Sequence, residues 1–403
     1  MALTGRSLVV AMCLAQVCNL LPHVAVPAVM AQHLMPPWHL SAAEAGLMAS
    51  AYAFGYMLAV PFLTTLTDRI DARLILLAGS AASGLATIAF GLFADGLLSA
   101  SVIWALAGIG FAGAYMPGLR ALTDRLGPGD VSRSVTMYTA CFSLGVGLSF
   151  LASQLTAEHL GWRYAFILTG LGPLAMIAVA LGLGPVQPAP RKAGLLDFRS
   201  VLRNRPAMGY ILGYGAHCFE LYGIRTWIVA FWGFVAARHD GSAVLTPITV
   251  SFLVAILAMP SSVLGNEAAI RWGRHRAIVL VMLASALVAV AIGLLAGASP
   301  ALLLALMLLY AITVPADSGA LTSGMSASAE PAFRGATLAL HSTVGFGLSA
   351  LGGWAVGVAL DAGGGPSSAT GWFAGFLVLA AGALLGPLAL WWSRGRGTLP
   401  AAR

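Results

Sequence analysis

The chain has 403 residues, of which 59% are hydrophobic and only 9% charged, with a formal net charge of +7 at pH 7. So few charges cannot cover a water-soluble fold of this length, and a mean hydropathy of +0.89 is that of a chain passing repeatedly through lipid. The basic excess does not indicate nucleic-acid binding, because no zinc finger, helix-turn-helix or aromatic-plus-basic platform accompanies it.

Charge-poor runs of about 20 residues, the length a helix needs to cross a bilayer, recur twelve times, at residues 6–30, 42–66, 73–94, 99–122, 134–157, 164–185, 207–236, 246–267, 277–297, 301–322, 335–360 and 371–393. The first is too long for a signal-peptide core and reads as a retained helix. It carries Gln16, Asn19 and His23, which share one face because residues three or four apart meet on a helix. The fourth span holds Tyr115 and Arg120, the seventh His217, Glu220, Tyr222 and Arg225, and the tenth Tyr310 and Asp317. Cys13, Cys18, Cys141 and Cys218 all fall inside spans without metal-ligand spacing, so they read as packing residues, with no zinc site or disulfide framework. Pro22, Pro27, Pro117, Pro260 and Pro315 are positioned to kink their helices.

Residues 186–206, with Pro188 and Pro190 and a basic end at Arg203-Asn204-Arg205-Pro206, read as a linker containing a helix that lies on the membrane surface. The expected organisation is all-α: a polytopic membrane protein of twelve transmembrane helices in two pseudo-symmetric six-helix bundles, 1–185 and 207–403. Of the 21 Lys and Arg, 18 fall on one side of this map, leaving Arg163 and Arg238 on the other and Arg225 within a span. Basic loops stay cytosolic, which places both chain ends in the cytosol of a bacterial inner membrane, with the basic face against lipid headgroups.

Short segments repeat between the halves at offsets near 200 residues. Gly145-Val146-Gly147-Leu148-Ser149 returns as Gly345-Phe346-Gly347-Leu348-Ser349, Ala121-Leu122-Thr123 as Ala320-Leu321-Thr322, and Leu171-Gly172-Pro173-Leu174-Ala175 as Leu385-Gly386-Pro387-Leu388-Ala389. Parallel repeats of this kind place a binding site near mid-membrane between the halves.

Between the second and third spans the chain reads Thr64-Thr65-Leu66-Thr67-Asp68-Arg69-Ile70-Asp71-Ala72-Arg73, and between the eighth and ninth Asn266-Glu267-Ala268-Ala269-Ile270-Arg271-Trp272-Gly273-Arg274-His275. With Gly161-Trp162-Arg163 before the sixth span and Arg334-Gly335 entering the eleventh, the chain resembles the major facilitator superfamily of secondary transporters over nearly its whole length. The resemblance implies that Asp68, Arg69, Arg271 and Arg274 clamp helix ends at the cytosolic gate, and that helices one, four, seven and ten line the cavity. The likeness is degraded: glycines of the loop signature are missing, and Ile270 stands where an acidic residue is usual. Many proton-coupled members carry an Arg where this chain has Trp104, ahead of Gly108 and Gly110, and residues 145–152 lack the proline of many drug antiporters.

A charge at mid-bilayer costs about 2.5 to 3.5 kcal/mol and usually faces a wet cavity, so Glu220, Arg225 and Asp317 carry the functional expectation. Arg225 reads either as a fixed positive charge for an anionic substrate or as a side chain snorkelling outward near Trp227 and Trp232. A buried carboxylate is costly as an anion, so Glu220, with His217 on the same face, is expected to take and release a coupling proton, or else to serve as an interhelical hydrogen-bond partner. Gly223 could break the helix and bring Glu220 to Arg225. Asp317 and Arg120 lie at matching depths and are expected to pair across the cytosolic gate when the protein faces outward.

The expected function is alternating-access transport of a small polar anion, with Gln16, Asn19, His23, Tyr115, Tyr222 and Arg225 contacting it, by a monomer without cofactor or metal. The loosest part of the likeness, Tyr115-Met116-Pro117-Gly118 with the stretch from Glu220 to Arg225, lies toward cyanate and nitrate-type permeases. Drug or metabolite efflux is the alternative, expected if aromatic and Met surface rather than charge lines the cavity; a flux-free membrane sensor is a third reading. No nucleotide-binding loop supports an ATP-driven pump, and no nucleophile-base set supports an enzyme.

Overall fold

The computed structural model describes residues 5–127, 131–188, 198–239, 241, 244–330 and 333–394, and among these every regular element is helical. Helices satisfy their own backbone groups, which lipid cannot do. The first expected span is replaced by α1 (Gly5–Asn19), α2 (Ala25–Val29) and α3 (Met35–Trp38), the last two joined by a π turn at Met30–Leu34. Then follow α4 (Ala42–Leu66), α5 (Ala72–Phe93), α6 (Leu97–Thr123), α7 (Val131–Leu160), α8 (Trp162–Gly170), α9 (Pro173–Leu181) and the short α10 (Arg199–Arg203). The chain continues through α11 (Arg205–Arg238), α12 (Pro247–Trp272), α13 (Arg274–Leu294), α14 (Pro300–Thr313), α15 (Ser318–Ser328), α16 (Arg334–Ala362) and α17 (Ala369–Ser393), with a 3-10 turn at Val314–Asp317 between α14 and α15.

Ten helical segments are long and apolar enough to cross a membrane, with α8–α9 and α14–α15 each counted as one. The two other expected spans depart for separate reasons: α1 has only 15 residues, and α11 has 34 but is diluted by His217, Glu220 and Arg225. Leu85, Leu264 and Leu287 are each about two-thirds exposed on the periphery, where hydrocarbon rather than water suits them. Of the expected linker helix, α10 is present, and residues 189–197 lie outside the described residues.

The break after α1 was not foreseen, and it has a specific cause. Pro22 has no N–H to continue the ladder, and Ser149 of α7 takes over the loose ends, accepting from Val24 N at 3.1 Å and donating to Leu21 O at 2.6 Å. Gly145 permits the approach, since a Cβ there would lie 2.6 Å from Leu20 Cβ. In the repeat, Ser349 bonds Gly345 O within its own helix at 2.9 Å, and α11 runs unbroken. The repeated sequence is thus used as a helix-break support in one half only.

At the face carrying the chain ends, Asp71 caps α5 by accepting from Arg73 N at 2.9 Å, and it also accepts from Val186 N at 2.8 Å and from Arg125 Nη2 at 3.0 Å. Arg125 and Arg73 in turn donate to Gly184 O and Leu183 O, tying the end of α9 to the loops after α4 and α6. Burial acts to raise the Asp71 pKa, but the bonds from Val186, Arg73 and Arg125 outweigh it and hold the carboxyl below its usual value. Asp71→Ala is expected to lose a cap of about 1 kcal/mol and the ion pair with the half-buried Arg125, worth up to about 1 kcal/mol. Thermal unfolding in detergent should fall by several degrees, with Asp71→Asn in between because Asn still caps. Because the folded pKa is depressed, this contribution is complete above about 3.9, the free carboxyl value, and disappears as pH falls through the lower folded value.

The opposite face is closed. Asp361, at the end of α16, accepts from Ala42 N at 2.9 Å and Ala43 N at 2.8 Å, completing the N-terminus of α4. Ser41 and Glu44 already form a reciprocal cap there, so the first-turn donors are all taken. Gly46 packs against the α16 backbone, where a Cβ would lie 2.7 Å from Gly353 O, and Gly357 packs likewise on Ala42 O. Deeper in, Tyr56 stacks on Phe346 at 3.7 Å, while Gln154 of α7 donates to Ser251 of α12 at 2.9 Å.

Candidate functional site

Three helices each contribute an aromatic pair spaced by four residues, and so on one face: Tyr52 and Tyr56 on α4, Phe111 and Tyr115 on α6, Tyr138 and Phe142 on α7. They converge on the broken segment after α1. The His23 ring lies 5.1 to 5.2 Å from Phe142, Tyr52 and Phe111, and its Nε2 lies 3.4 Å from Tyr222 OH. Tyr115 bridges Phe142 at 5.2 Å and Tyr138 at 6.2 Å.

Into this aromatic box α11 projects Arg225, only 6% exposed. Its Cζ lies 5.2 Å from the Tyr222 ring centre and 5.9 Å from that of Phe142. Among the described residues no carboxylate comes within ion-pair distance of it. Rings attract a desolvated cation but do not neutralise it. The snorkelling reading fails here, because the guanidinium stays inside; Trp227 and Trp232 are themselves buried and bonded to Gly353 O and Leu245 O.

The expected break at Gly223 is absent, since α11 is continuous, and Glu220 turns away from Arg225. Its Oε1 accepts from Ser285 Oγ of α13 at 2.6 Å and from Tyr310 OH of α14 at 2.9 Å. His217 faces Asp317 instead, with Nδ1 2.7 Å from Oδ1 and both side chains 2% exposed. The two atoms are close but do not meet the geometry of a hydrogen bond. Tyr214 lies flat between His217, 5.6 Å away, and His341, 3.8 Å away.

The gate expectation concerned a pair formed when the protein faces outward, and in the present state the two residues lie apart. The tenth crossing runs on to Ser328, which sets Asp317 eleven residues from its end, deep in the fold and facing His217. Arg120 bonds Asp124 at 2.7 Å and approaches Asp68 at 3.7 Å, so the Arg120–Asp317 pair is not formed in this structure. Arg69 and Arg271 are exposed at the chain-end face, and Arg274 lies beside Tyr210 and His275 there. A clamp is built there from Asp71, three residues after the expected Asp68, and Arg125 from the loop after α6.

Gln16 and Asn19 are wholly buried. Tyr138 OH donates to Gln16 Oε1 at 2.9 Å, while Gln16 Nε2 and both polar atoms of Asn19 have no partner. Beside Arg225, between Phe150, Leu221 and Tyr310, lies a cavity of about 20 Å³, room for about one water.

Ten helical segments long and apolar enough to cross a membrane, interrupted helices and a buried Arg225 with no carboxylate partner among the described residues are features of a membrane carrier of small solutes. The profile of the Major Facilitator Superfamily matches residues 12–353, and the chain belongs to that family; it is a transporter and not an enzyme. A gallate transporter of Pseudomonas putida is 31% identical over 167 residues, which is 40% of this chain and 36% of that protein, so the match spans about a third of the relative's length. Among solved structures, a bacterial homologue of the human lysosomal transporter Spinster, inward-facing and unoccupied, superposes with a TM-score of 0.75 at 18% identity, covering 96% of this chain and 95% of that one. A POT peptide transporter in complex with sulfate gives 0.75 at 14% identity over 97% and 96%. Similarity at that level of identity speaks for the fold alone.

Proposed function

We propose that the protein carries aromatic carboxylates across the membrane by alternating access, with Arg225 holding the carboxylate and the surrounding rings holding the aromatic body. The observation behind this reading is Arg225 itself, a buried guanidinium supplied with ring faces but with no acidic partner. A guanidinium matches a carboxylate in a two-pronged hydrogen bond, and an anion that neutralises it removes the cost of burying it alone. The gallate transporter similarity agrees with this class of solute. The aromatic lining also suits the efflux alternative, but an uncompensated cation repels the cationic compounds that such lining would otherwise attract.

The reading includes twelve crossings, with the broken α1–α3 segment and the polar α11 added to the ten apolar segments, divided into bundles 1–185 and 207–403 by the linker 186–206. Both chain ends then lie in the cytosol, so closure at Asp361 makes this an inward-facing state. The His217–Asp317 contact is the coupling-proton site, with Glu220 beside it.

Purified protein is expected to be stabilised against heat by benzoate-class anions, since a ligand of the native state raises apparent stability. Arg225→Ala should weaken that binding by a factor of about 100, with Arg225→Lys partly retaining it. Stabilisation by hydrophobic cations alone, unchanged in Arg225→Ala, would overturn the carboxylate reading.

A further inference from the structure

Asn19 sits at the end of α1, immediately before the break, 1% exposed, and among the described residues both its amide nitrogen and its amide oxygen lack partners. A buried amide left unsatisfied on both sides is destabilising, so a fold that keeps it there has a use for it when the box is filled. Gln16, one turn earlier, differs in a telling way: Tyr138 OH occupies its oxygen, which fixes the amide and leaves Nε2 free to donate. Both belong to the stripe that ends at His23, whose ring lies against Phe142 and Tyr222, the same two rings that face Arg225. From His23 to Asn19 is about one turn of chain, roughly 6 to 8 Å.

Resting on the carboxylate reading of Arg225, we propose that Asn19, with Gln16 beside it, receives a ring hydroxyl of the solute, so that the preferred substrates are hydroxylated aromatic acids. A phenolic hydroxyl is both donor and acceptor, and the Asn19 amide offers one of each, so a single group can satisfy both free atoms. Gln16 Nε2 can donate to the same oxygen or to a neighbouring ring hydroxyl. A site that hydrogen-bonds a hydroxyl discriminates strongly against the analogue lacking it, because the buried amide is then left unpaired.

The test is equilibrium binding of benzoate and 4-hydroxybenzoate to the purified full-length protein, its Asn19→Ala and Gln16→Ala variants, and Arg225→Ala. The native protein is expected to favour 4-hydroxybenzoate over benzoate by at least about tenfold. In Asn19→Ala the two affinities should converge to within about twofold, chiefly through loss of the hydroxylated ligand, with a native-like thermal unfolding temperature without ligand serving as the check that the variant is folded; Gln16→Ala should reduce the ratio partway. Equal affinities in the native protein, or a preference that persists in both variants, would overturn the hydroxyl assignment while leaving an Arg225-dependent carboxylate site standing. Failure of both acids to bind the native protein would remove both readings together.

Discussion

Gly357→Leu is expected to drive the protein out of the state seen here, opening the face away from the chain ends. The α16 and α4 backbones meet at this point without side chains between them, and even a Cβ at position 357 would overlap Ala42 O. Overfilling a packed contact costs about 1 to 3 kcal/mol, which in a two-state equilibrium is a factor of about 5 to 150. When the halves swing apart on this face the added side chain is relieved, so the cost falls on the closed state alone. Asp361→Ala should act in the same direction by a factor of about five, because Asp361 is exposed and its two bonds can be exchanged for water. A Ser50→Cys reporter, buried beside Gly353, in a background without the native cysteines, reads the change as labelling by an impermeant maleimide. Labelling that rises in neither variant would show that this contact does not hold the face closed.

Asp317→Asn is expected to uncouple transport from the proton gradient. The carboxylate and His217 are each 2% exposed and 2.7 Å apart, so whether a proton resides on the pair decides whether charge is buried there. Asp317 also ends the 3-10 turn that interrupts the tenth crossing, and α12 presses on that turn through Gly265, whose Cβ would overlap Ala316 O. Such an interruption within a helix is a common site of bending, which links the charge on the pair to the angle of α15. In proteoliposomes, uptake driven by an imposed pH gradient should fall at least about 100-fold in Asp317→Asn, while exchange of labelled for unlabelled solute continues, as expected for a general acid–base group removed from a proton-transfer step. His217→Ala should be the less stable variant, because it strands a buried carboxylate at about 3 to 5 kcal/mol. Glu220→Gln should be milder, since an amide oxygen can still accept from Ser285 and Tyr310. Gradient-driven uptake unchanged in Asp317→Asn would remove the pair from the coupling step.

Much of this was legible in the residues. Period and length placed the helices to within a few positions, and the scarcity of charge inside the spans singled out Glu220, Arg225 and Asp317. Their partners could not be read. Ser285 is one of many serines that lie on helices, and nothing local marks it as the donor to Glu220. Hydropathy ends the tenth span at residue 322, but the helix runs on through Ser323 to Ser328, small polar residues that lower hydropathy without stopping a helix, so Asp317 lies deeper than the span suggests. Pro22 signalled a kink, but a full break depends on Ser149, 127 residues away, being present to bond the freed backbone. The aromatic box did leave a trace: three Tyr and Phe pairs spaced by four residues on α4, α6 and α7 are a repeated one-face pattern, which a search for charges inside spans does not register.

Val186 N is held by Asp71, while Asn204 Nδ2 donates to Ser328 O at 2.8 Å, so the segment between the proposed bundles is tied at one end to the loop after α4 and at the other to the end of α15. On the proposed division the molecule behaves as a heterodimer that happens to be written on one polypeptide. Recognition between its two subunits then resides where α4 meets α16 and α7 meets α12, and those surfaces are under the constraints of a reversible protein–protein interface, tight enough to seal and weak enough to part.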